Sequence, residues 1–150
     1  MKKLNLFLTL LLTITLFSCG SDDDGTTETF EITEANLIGA WKLISVTENG
    51  TAIQLDECDL LYSVQLSVEQ GENRAVYTEA GLEGNSCTIF TSTDYTWSLT
   101  SDNILNTETL EGSDQDSEKI IELTATTLKL EYIDTEGSDT FIIVDTYTKQ

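Results

Sequence analysis

A strict two-residue alternation of apolar and polar side chains is the feature that most limits the folds open to this chain. It is clearest from Tyr62 to Glu69, where Tyr, Val, Leu and Val alternate with Ser, Gln, Ser and Glu. Successive side chains of a β-strand point to opposite faces, so this segment predicts a strand with one buried face. The pattern recurs at 95–99 and at 128–132. The chain is therefore predicted to consist of half-buried β-strands.

Turn signals divide the chain into short strands, because Gly, Asn, Asp and Ser interrupt the apolar segments at Glu48-Asn49-Gly50 and at Glu136-Gly137-Ser138. No crossover helix of useful length is visible, which favours an antiparallel meander over a parallel sheet. Closing the meander removes both open edges, and a barrel of about eight strands has an interior that side chains fill or that holds one small ligand. Strands are predicted near residues 40–47, 61–69, 73–79, 87–92, 94–100, 103–110, 118–124, 127–133 and 140–148.

One short helical turn is predicted before the first strand. Thr33 is a candidate cap for a turn over 33–38, and Gly39 ends it. The Gly39-Ala40-Trp41 that follows resembles the start of the lipocalins, in which the Trp closes the base of the barrel. A longer similarity is to the lipocalin-like domains of Bacteroidota lipoproteins, and it is carried by Leu37 to Leu43, Trp97-Ser98-Leu99, Ile120 to Leu128 and Tyr147-Thr148-Lys149. The resemblance implies an all-β domain over 33–150: an antiparallel meander of about 8–9 strands forming a lipocalin-like barrel, with a short N-terminal helical turn.

The amino terminus predicts export. Met1-Lys2-Lys3 precedes an apolar segment, Leu4 to Phe17, that is too short to cross a ~30 Å hydrocarbon layer as a helix and is typical of a signal peptide, here 1–18. Leu16-Phe17-Ser18-Cys19 resembles the lipobox of bacterial lipoproteins. That resemblance implies cleavage before Cys19 and attachment of fatty acyl chains, such as palmitate, to its thiol and new amino group. Ordinary signal cleavage with Cys19 left as a free thiol is the alternative.

Residues 19–32 are rich in Gly, Ser, Thr, Asp and Glu, a composition that predicts a flexible acidic tether. Several acyl chains on one residue would anchor this tether permanently in a membrane. Ser21-Asp22-Asp23-Asp24 resembles the acidic export signal of Bacteroidota surface lipoproteins. The implied location is the outer membrane with the domain exposed at the cell surface, and the periplasmic face is the alternative.

The charge balance excludes some partners. The chain carries 27 acidic and 7 basic residues, a formal charge of −20, and no histidine. An acidic surface repels phosphate, so no nucleic-acid partner is expected. Without histidine the commonest general base and zinc ligand are missing, and neither a metal nor a cofactor is predicted. Asp114 to Glu118 spaces three carboxylates as a calcium loop might, but it lacks the EF-hand glycine and is predicted to be a solvated hairpin tip.

Once Cys19 is acylated, Cys58 and Cys87 remain. An exported chain meets an oxidising compartment, where two thiols most simply form one disulfide. In the chain-entropy model the closed loop would contribute roughly 3.5 kcal/mol. A redox role would favour a closer spacing such as Cys-x-x-Cys.

Three functions remain open. The leading hypothesis is a binding module that holds a small apolar or amphipathic molecule in a cavity lined by inward side chains. The second is an accessory subunit of a surface complex without a small ligand, which an exposed apolar patch would favour. A hydrolase with two carboxylates is the least supported, because nothing singles out a pair, and the protein is predicted not to be an enzyme. The candidate ligand-binding residues are Leu43, Val64, Leu66, Tyr77, Trp97, Leu128 and Phe141.

Overall fold

The computed structural model of the protein describes residues 29–150, apart from the side chains of residues 91–94. The predicted signal peptide, Cys19 and the tether up to residue 28 lie outside the described residues. Neither helix in the described range is long and apolar enough to cross a membrane. The helical elements are α1 (Glu34–Leu37) and a single 3-10 turn (Asp59–Leu61). The strands are β1 (Gly39–Glu48), β2 (Thr51–Ile53), β3 (Ser63–Glu69), β4 (Glu72–Glu83), β5 (Ser86–Leu99), β6 (Ile104–Thr109), β7 (Gln115–Leu123), β8 (Thr127–Glu136) and β9 (Asp139–Lys149).

Eight of these strands close into an antiparallel barrel. From β3 to β9 each strand pairs with the next in the chain, and β1 pairs with both β3 and β9. The short β2 adds to the barrel by pairing with residues 46–48 of β1. Closure gives each of the eight strands a hydrogen-bonded neighbour on both sides, which limits the open edges. Residues 115–118 of β7 and 132–136 of β8 do not pair with each other. The prediction of an all-β, lipocalin-like barrel with a short N-terminal helical turn is confirmed.

The end of the barrel where β1 begins, called the lower end here, is sealed by α1 and Trp41. Thr33 caps α1 by accepting a hydrogen bond from the Asn36 backbone N–H at 3.4 Å. The completely buried Trp41 donates its indole N–H to the Leu37 carbonyl oxygen at 2.8 Å. The Lys149 ammonium lies over the Trp41 ring, 4.9 Å from its centroid. The indole is therefore contacted both at its N–H and over its ring.

Gly39 is required where it stands before Trp41. Its φ is +148°, which L side chains rarely adopt, and a Cβ built there would lie 2.7 Å from Lys149 Cε. The Gly-x-Trp pattern therefore has a local cause, since a side chain at position 39 would strain the backbone and displace the cation over Trp41.

The core fills the lower and middle parts of the barrel. Its side chains come from alternate positions of the strands, as the two-residue pattern predicts, and interlock as a close-packed interior. The Trp97 indole N–H donates to the Ser67 carbonyl oxygen at 3.2 Å. The buried cluster consists of Leu37, Trp41, Leu43, Val64, Leu66, Ala75, Trp97, Leu105, Ile120, Leu123, Leu128, Leu130 and Tyr147.

The first described residues are attached at the lower end. The Phe30 backbone N–H donates to the Leu123 carbonyl oxygen at 2.7 Å, and Thr29 forms an isolated bridge with Thr124. The segment that precedes the domain therefore meets the barrel at its sealed end.

Strand β5 differs from the sequence prediction. Two strands were expected at 87–92 and 94–100, whereas one strand runs from Ser86 to Leu99. Across from β5, Val76 and Thr78 pair with Asp94 and Thr91, so β5 holds one extra residue there. A β-bulge of this kind shifts the phase of the alternation without ending the strand. The sequence pattern shows the phase shift, but it does not distinguish a bulge from a break.

Strand β7 also differs, because it begins at Gln115. Residues 115–118 were expected to belong to a solvated hairpin tip, yet they pair with Asn106 to Glu108 and Leu105 of β6. Polar composition suggested a loop, whereas the ladder to β6 continues through these residues. This extension brings Asp116 and Glu118 onto the same face as the buried Ile120.

Candidate functional site

The predicted ligand-binding residues separate into two groups in the structure. Leu43, Val64, Leu66, Trp97 and Leu128 are at most 6% exposed and belong to the packed core. Tyr77 packs against this core and lines a cavity above it. Phe141 is half-buried near the beginning of β9. The apolar side chains therefore fill the lower barrel, and space for a ligand lies above them.

That space is a cavity of about 540 Å³ at the end of the barrel opposite Trp41, called the upper cavity here. Its walls come from β4, β7, β8, β9 and the residue before β3. The lining is mostly aromatic and acidic rather than aliphatic. The lining residues are Tyr62, Tyr77, Gln115, Asp116, Ser117, Glu118, Tyr132, Ile133 and Asp145.

All five tyrosines of the chain lie in or beside the upper cavity. The Tyr77 ring meets the Tyr95 ring edge-on, with centroids 5.1 Å apart. Tyr62 lies between Tyr77 and Tyr147, at centroid distances of 6.2 Å and 6.4 Å. Rings at such distances and tilts attract each other through their quadrupoles, which stiffens the wall they form.

The phenol groups stay neutral. Burial, reinforced by the Glu118 carboxyl, raises the pKa of Tyr77, and burial followed by the Asp145 carboxyl raises the pKa of Tyr132 to about 12. Burial also raises the pKa of Tyr62. These tyrosines therefore present neutral hydroxyl groups and ring faces to the cavity at every physiological pH.

The carboxyl groups of the cavity are perturbed in the same direction. Burial, followed by the nearby Asp145 and Asp116 carboxylates, raises the pKa of Glu118 to about 7. Burial raises the pKa of Asp145 as well, and the hydrogen bond from the Tyr147 hydroxyl to Asp145 Oδ2, at 3.2 Å, opposes that shift. The cavity therefore gains negative charge as the pH rises through neutrality.

Asp116 and Glu118 are site residues that the sequence reasoning missed. The signal was present, since they share the parity of Ile120, but their acidic neighbours suggested a hairpin tip. Within residues 29–150 no three His, Cys, Asp or Glu residues are placed to hold a metal ion.

A second concave surface surrounds the disulfide. Cys58 and Cys87 are bonded, as predicted, with Cα atoms 5.2 Å apart. The bond joins the segment before β3 to the β4–β5 hairpin beside a shallow depression of about 580 Å³ that Leu61 and Leu82 also line. Leu82 is 69% exposed and Ile89 57% exposed. This apolar surface is separate from the upper cavity.

An antiparallel barrel of eight strands, sealed at one end by a helical turn and a buried Trp, belongs to the class of closed β-barrels. A family model described as a lipocalin-like domain matches residues 37–130. The chain belongs to this lipocalin-like domain family.

The chain is similar to several solved structures at low sequence identity. Bovine odorant-binding protein in complex with undecanal is 13% identical at a TM-score of 0.46, covering 82% of this chain and 77% of that chain. The bovine lipocalin allergen Bos d 2 is 12% identical at a TM-score of 0.47, and the match covers 79% of this chain and 76% of that chain. A dog lipocalin allergen is 14% identical at a TM-score of 0.45, and the match covers 75% of this chain and 72% of that chain. No curated protein matches the chain.

Proposed function

We propose that this protein is a lipid-anchored cell-envelope lipoprotein of the Bacteroidota type that binds a small amphipathic molecule in the upper cavity. The observation that carries the binding proposal is the hollow of about 540 Å³ above a fully packed core. An open cavity of this size, in which three tyrosines and one isoleucine stand among five polar side chains, has the dimensions of a small-molecule site.

The position of the described amino terminus supports the orientation. Phe30 is bonded at the sealed end, and the upper cavity opens at the other end of the barrel. If Cys19 is acylated, the residues that follow it connect the membrane anchor to the sealed end of the barrel. The cavity then faces away from the membrane, where soluble ligands are accessible.

The binding proposal is tested with N-phenyl-1-naphthylamine, a neutral fluorescent probe, on the purified protein. We expect saturable enhancement that falls at least about tenfold in affinity in Tyr132→Ala, which removes one ring from the cavity wall. Ile121→Ala, an exposed position on the outer face of β7, is the matched control. Absence of saturable binding, or equal loss in both variants, would reject the cavity as a binding site.

The anchor is tested separately. Mass spectrometry of the mature amino-terminal peptide is expected to show acyl chains on Cys19, and Cys19→Ala is expected to leave the protein in the soluble fraction. Protease accessibility on intact cells distinguishes the outer face from the periplasmic face. An unmodified Cys19 would reject the anchor and leave the binding proposal intact.

An accessory role without a small ligand is the second candidate, and the exposed apolar surface beside the disulfide favours it. Leu82 and Ile89 are diagonal neighbours on one face of the β4–β5 hairpin, and Leu61 extends their surface. Single apolar residues on a surface are ordinary, whereas neighbouring ones mark contact sites. Co-purification with envelope proteins that Leu82→Ser abolishes, in a protein that binds no apolar probe, would favour this role.

A further inference from the structure

The upper cavity contains acidic groups that no basic residue of its wall neutralises. Asp116, Glu118 and Asp145 line it, and none of its described lining residues is Lys or Arg. The pKa of Glu118 is raised by burial and by the other two carboxylates, without an opposing contribution from a cation. Asp116 is exposed, whereas Glu118 and Asp145 are partly buried. Carboxylates removed from water are ordinarily paired, so these two lack a positive partner.

Three of the five basic side chains among residues 29–150 are engaged elsewhere. Arg74 and Lys129 form ion pairs with Glu72 and Glu122, at 2.7 Å and 2.6 Å. Lys149 lies over an indole at the sealed lower end. The other two, Lys42 and Lys119, are not among the lining residues, so no basic side chain of residues 29–150 stands in the cavity wall.

Two buried oxygen atoms beside the cavity also lack a partner. Asp145 Oδ1 and Thr107 Oγ1 have no hydrogen-bond partner among the described residues. Thr107 is 2% exposed and pairs directly with Asp116 on β7. Its hydroxyl lies close to that of Tyr77 without meeting hydrogen-bond geometry. Buried oxygen atoms without partners are rare in folded proteins, and of these two residues Asp145 lines the upper cavity, where a ligand would supply a donor.

The aromatic walls favour a particular kind of donor. Tyr62, Tyr77 and Tyr132 line the same cavity as the carboxylates. A cation over a tyrosine ring is attracted by the ring quadrupole, and the attraction strengthens when water is removed. Tyrosine rings beside carboxylates therefore provide two attractive contacts for an ammonium group, whereas the carboxylates repel an anion.

We propose that the upper cavity selects small organic cations, namely amines on an aromatic or short aliphatic body, over neutral and anionic amphiphiles of the same shape. The inference rests on the proposed binding function and names its ligand class. A bare metal ion fits less well, because within residues 29–150 no three carboxylates converge on one point. The ammonium group donates to the Asp145 and Glu118 carboxylates while its body packs on the tyrosines.

Binding of such a cation depends on pH through Glu118. Its carboxyl has a pKa of about 7, so it becomes charged between pH 6 and pH 8 and the attraction grows over that range. Every titratable group that acts on it or shares its cavity is acidic or phenolic, which leaves no competing cation. Those groups are Asp116 on β7, Asp145 and Tyr147 on β9, Tyr132 on β8, Tyr77 and Glu79 on β4, and Tyr62 before β3.

The test uses three compounds of similar shape: 2-phenylethylamine, 2-phenylethanol and 3-phenylpropionate. Isothermal titration of the full chain at pH 8 is expected to give at least about tenfold tighter binding of the amine than of either other compound. The amine should bind several-fold more weakly at pH 6. Glu118→Gln should remove this pH dependence, and Glu111→Gln, which changes an exposed carboxylate in the β6–β7 turn, should preserve it.

The outcomes separate the two proposals. If the alcohol or the carboxylate binds as tightly as the amine, and Tyr132→Ala weakens it, the cavity binds ligands and the cation inference is wrong. If none of the three compounds binds, and neither does N-phenyl-1-naphthylamine, the binding function fails and the inference fails with it. Saturation with Ca²⁺ that excludes the amine would replace the organic cation with a metal ion.

Discussion

Replacing Glu118 with Gln should change how the stability of the barrel depends on pH. Glu118 is a carboxyl half-buried among other carboxyls, and its pKa rises from an ordinary 4.5 to about 7 on folding. Below pH 4.5 it is protonated in both states and costs nothing. Above pH 7 it is ionised in both states, and the folded state retains a buried charge that the unfolded chain solvates.

The magnitude follows from the size of that shift. One pKa unit corresponds to about 1.4 kcal/mol, so the full titration removes roughly 3 kcal/mol of stability as the pH rises from 4.5 through 7. Between pH 5 and pH 8 the expected loss is roughly 2–3 kcal/mol. Asp145 contributes in the same direction, but it is present in both proteins and cancels from their difference.

Urea unfolding at pH 5 and at pH 8 measures the effect. Glu118→Gln should match the wild type at pH 5 and exceed its free energy of unfolding by roughly 2–3 kcal/mol at pH 8. Glu111→Gln makes the same chemical change at an exposed position of the β6–β7 turn and should show no such divergence. If the difference in free energy of unfolding between Glu118→Gln and wild type stays constant from pH 5 to pH 8, the inference that Glu118 is buried without a counter-charge is wrong.

Three further changes test the framework of the barrel. Replacing Cys58 and Cys87 with Ser should lower the free energy of unfolding by about 3 kcal/mol, because the disulfide closes a loop with a sequence separation of 29. Reducing agent should lower the urea midpoint of the wild type and leave that of the variant unchanged. Gly39→Ala should cost about 1–3 kcal/mol, since its φ of +148° disfavours any side chain, and a thermal midpoint equal to wild type would contradict the strain. Leu66→Ala should lower the free energy of unfolding by about 2–5 kcal/mol by opening a void in the packed core, and the protein that remains folded should bind the probe with unchanged affinity. A selective loss of binding would show that the ligand site lies deeper in the barrel than the upper cavity.

The sequence correctly predicted which side chains face the inside of the barrel. It did not predict which of them pack in the core and which line a cavity. Alternation assigned Val64, Leu66 and Tyr77 correctly to one buried surface, because the period of a strand is a local property. The height of a residue along the barrel is not local. It depends on register between strands, and register decided that Leu66 packs in the core while Tyr77 lines a cavity.

Two other features depended on neighbouring strands. The phase shift within β5 is absorbed by a bulge opposite Val76 and Thr78, which only pairing with β4 reveals. Asp116 and Glu118 have loop-like composition, and the ladder to β6 makes them part of a strand. Polar composition indicates that residues prefer contact with solvent, which suggested a loop. Here the hydrogen bonds to an adjacent strand decide the local structure instead.

The sequence by itself determined a half-buried antiparallel meander, the glycine and tryptophan that begin it, and the pairing of the only two cysteines in the folded domain. These follow from residue type and spacing along one chain. Tertiary structure alone decided that the lumen is packed at one end and hollow at the other. It also brought carboxylates from β7 and β9 together without a cation, because groups distant in sequence meet only when the barrel closes.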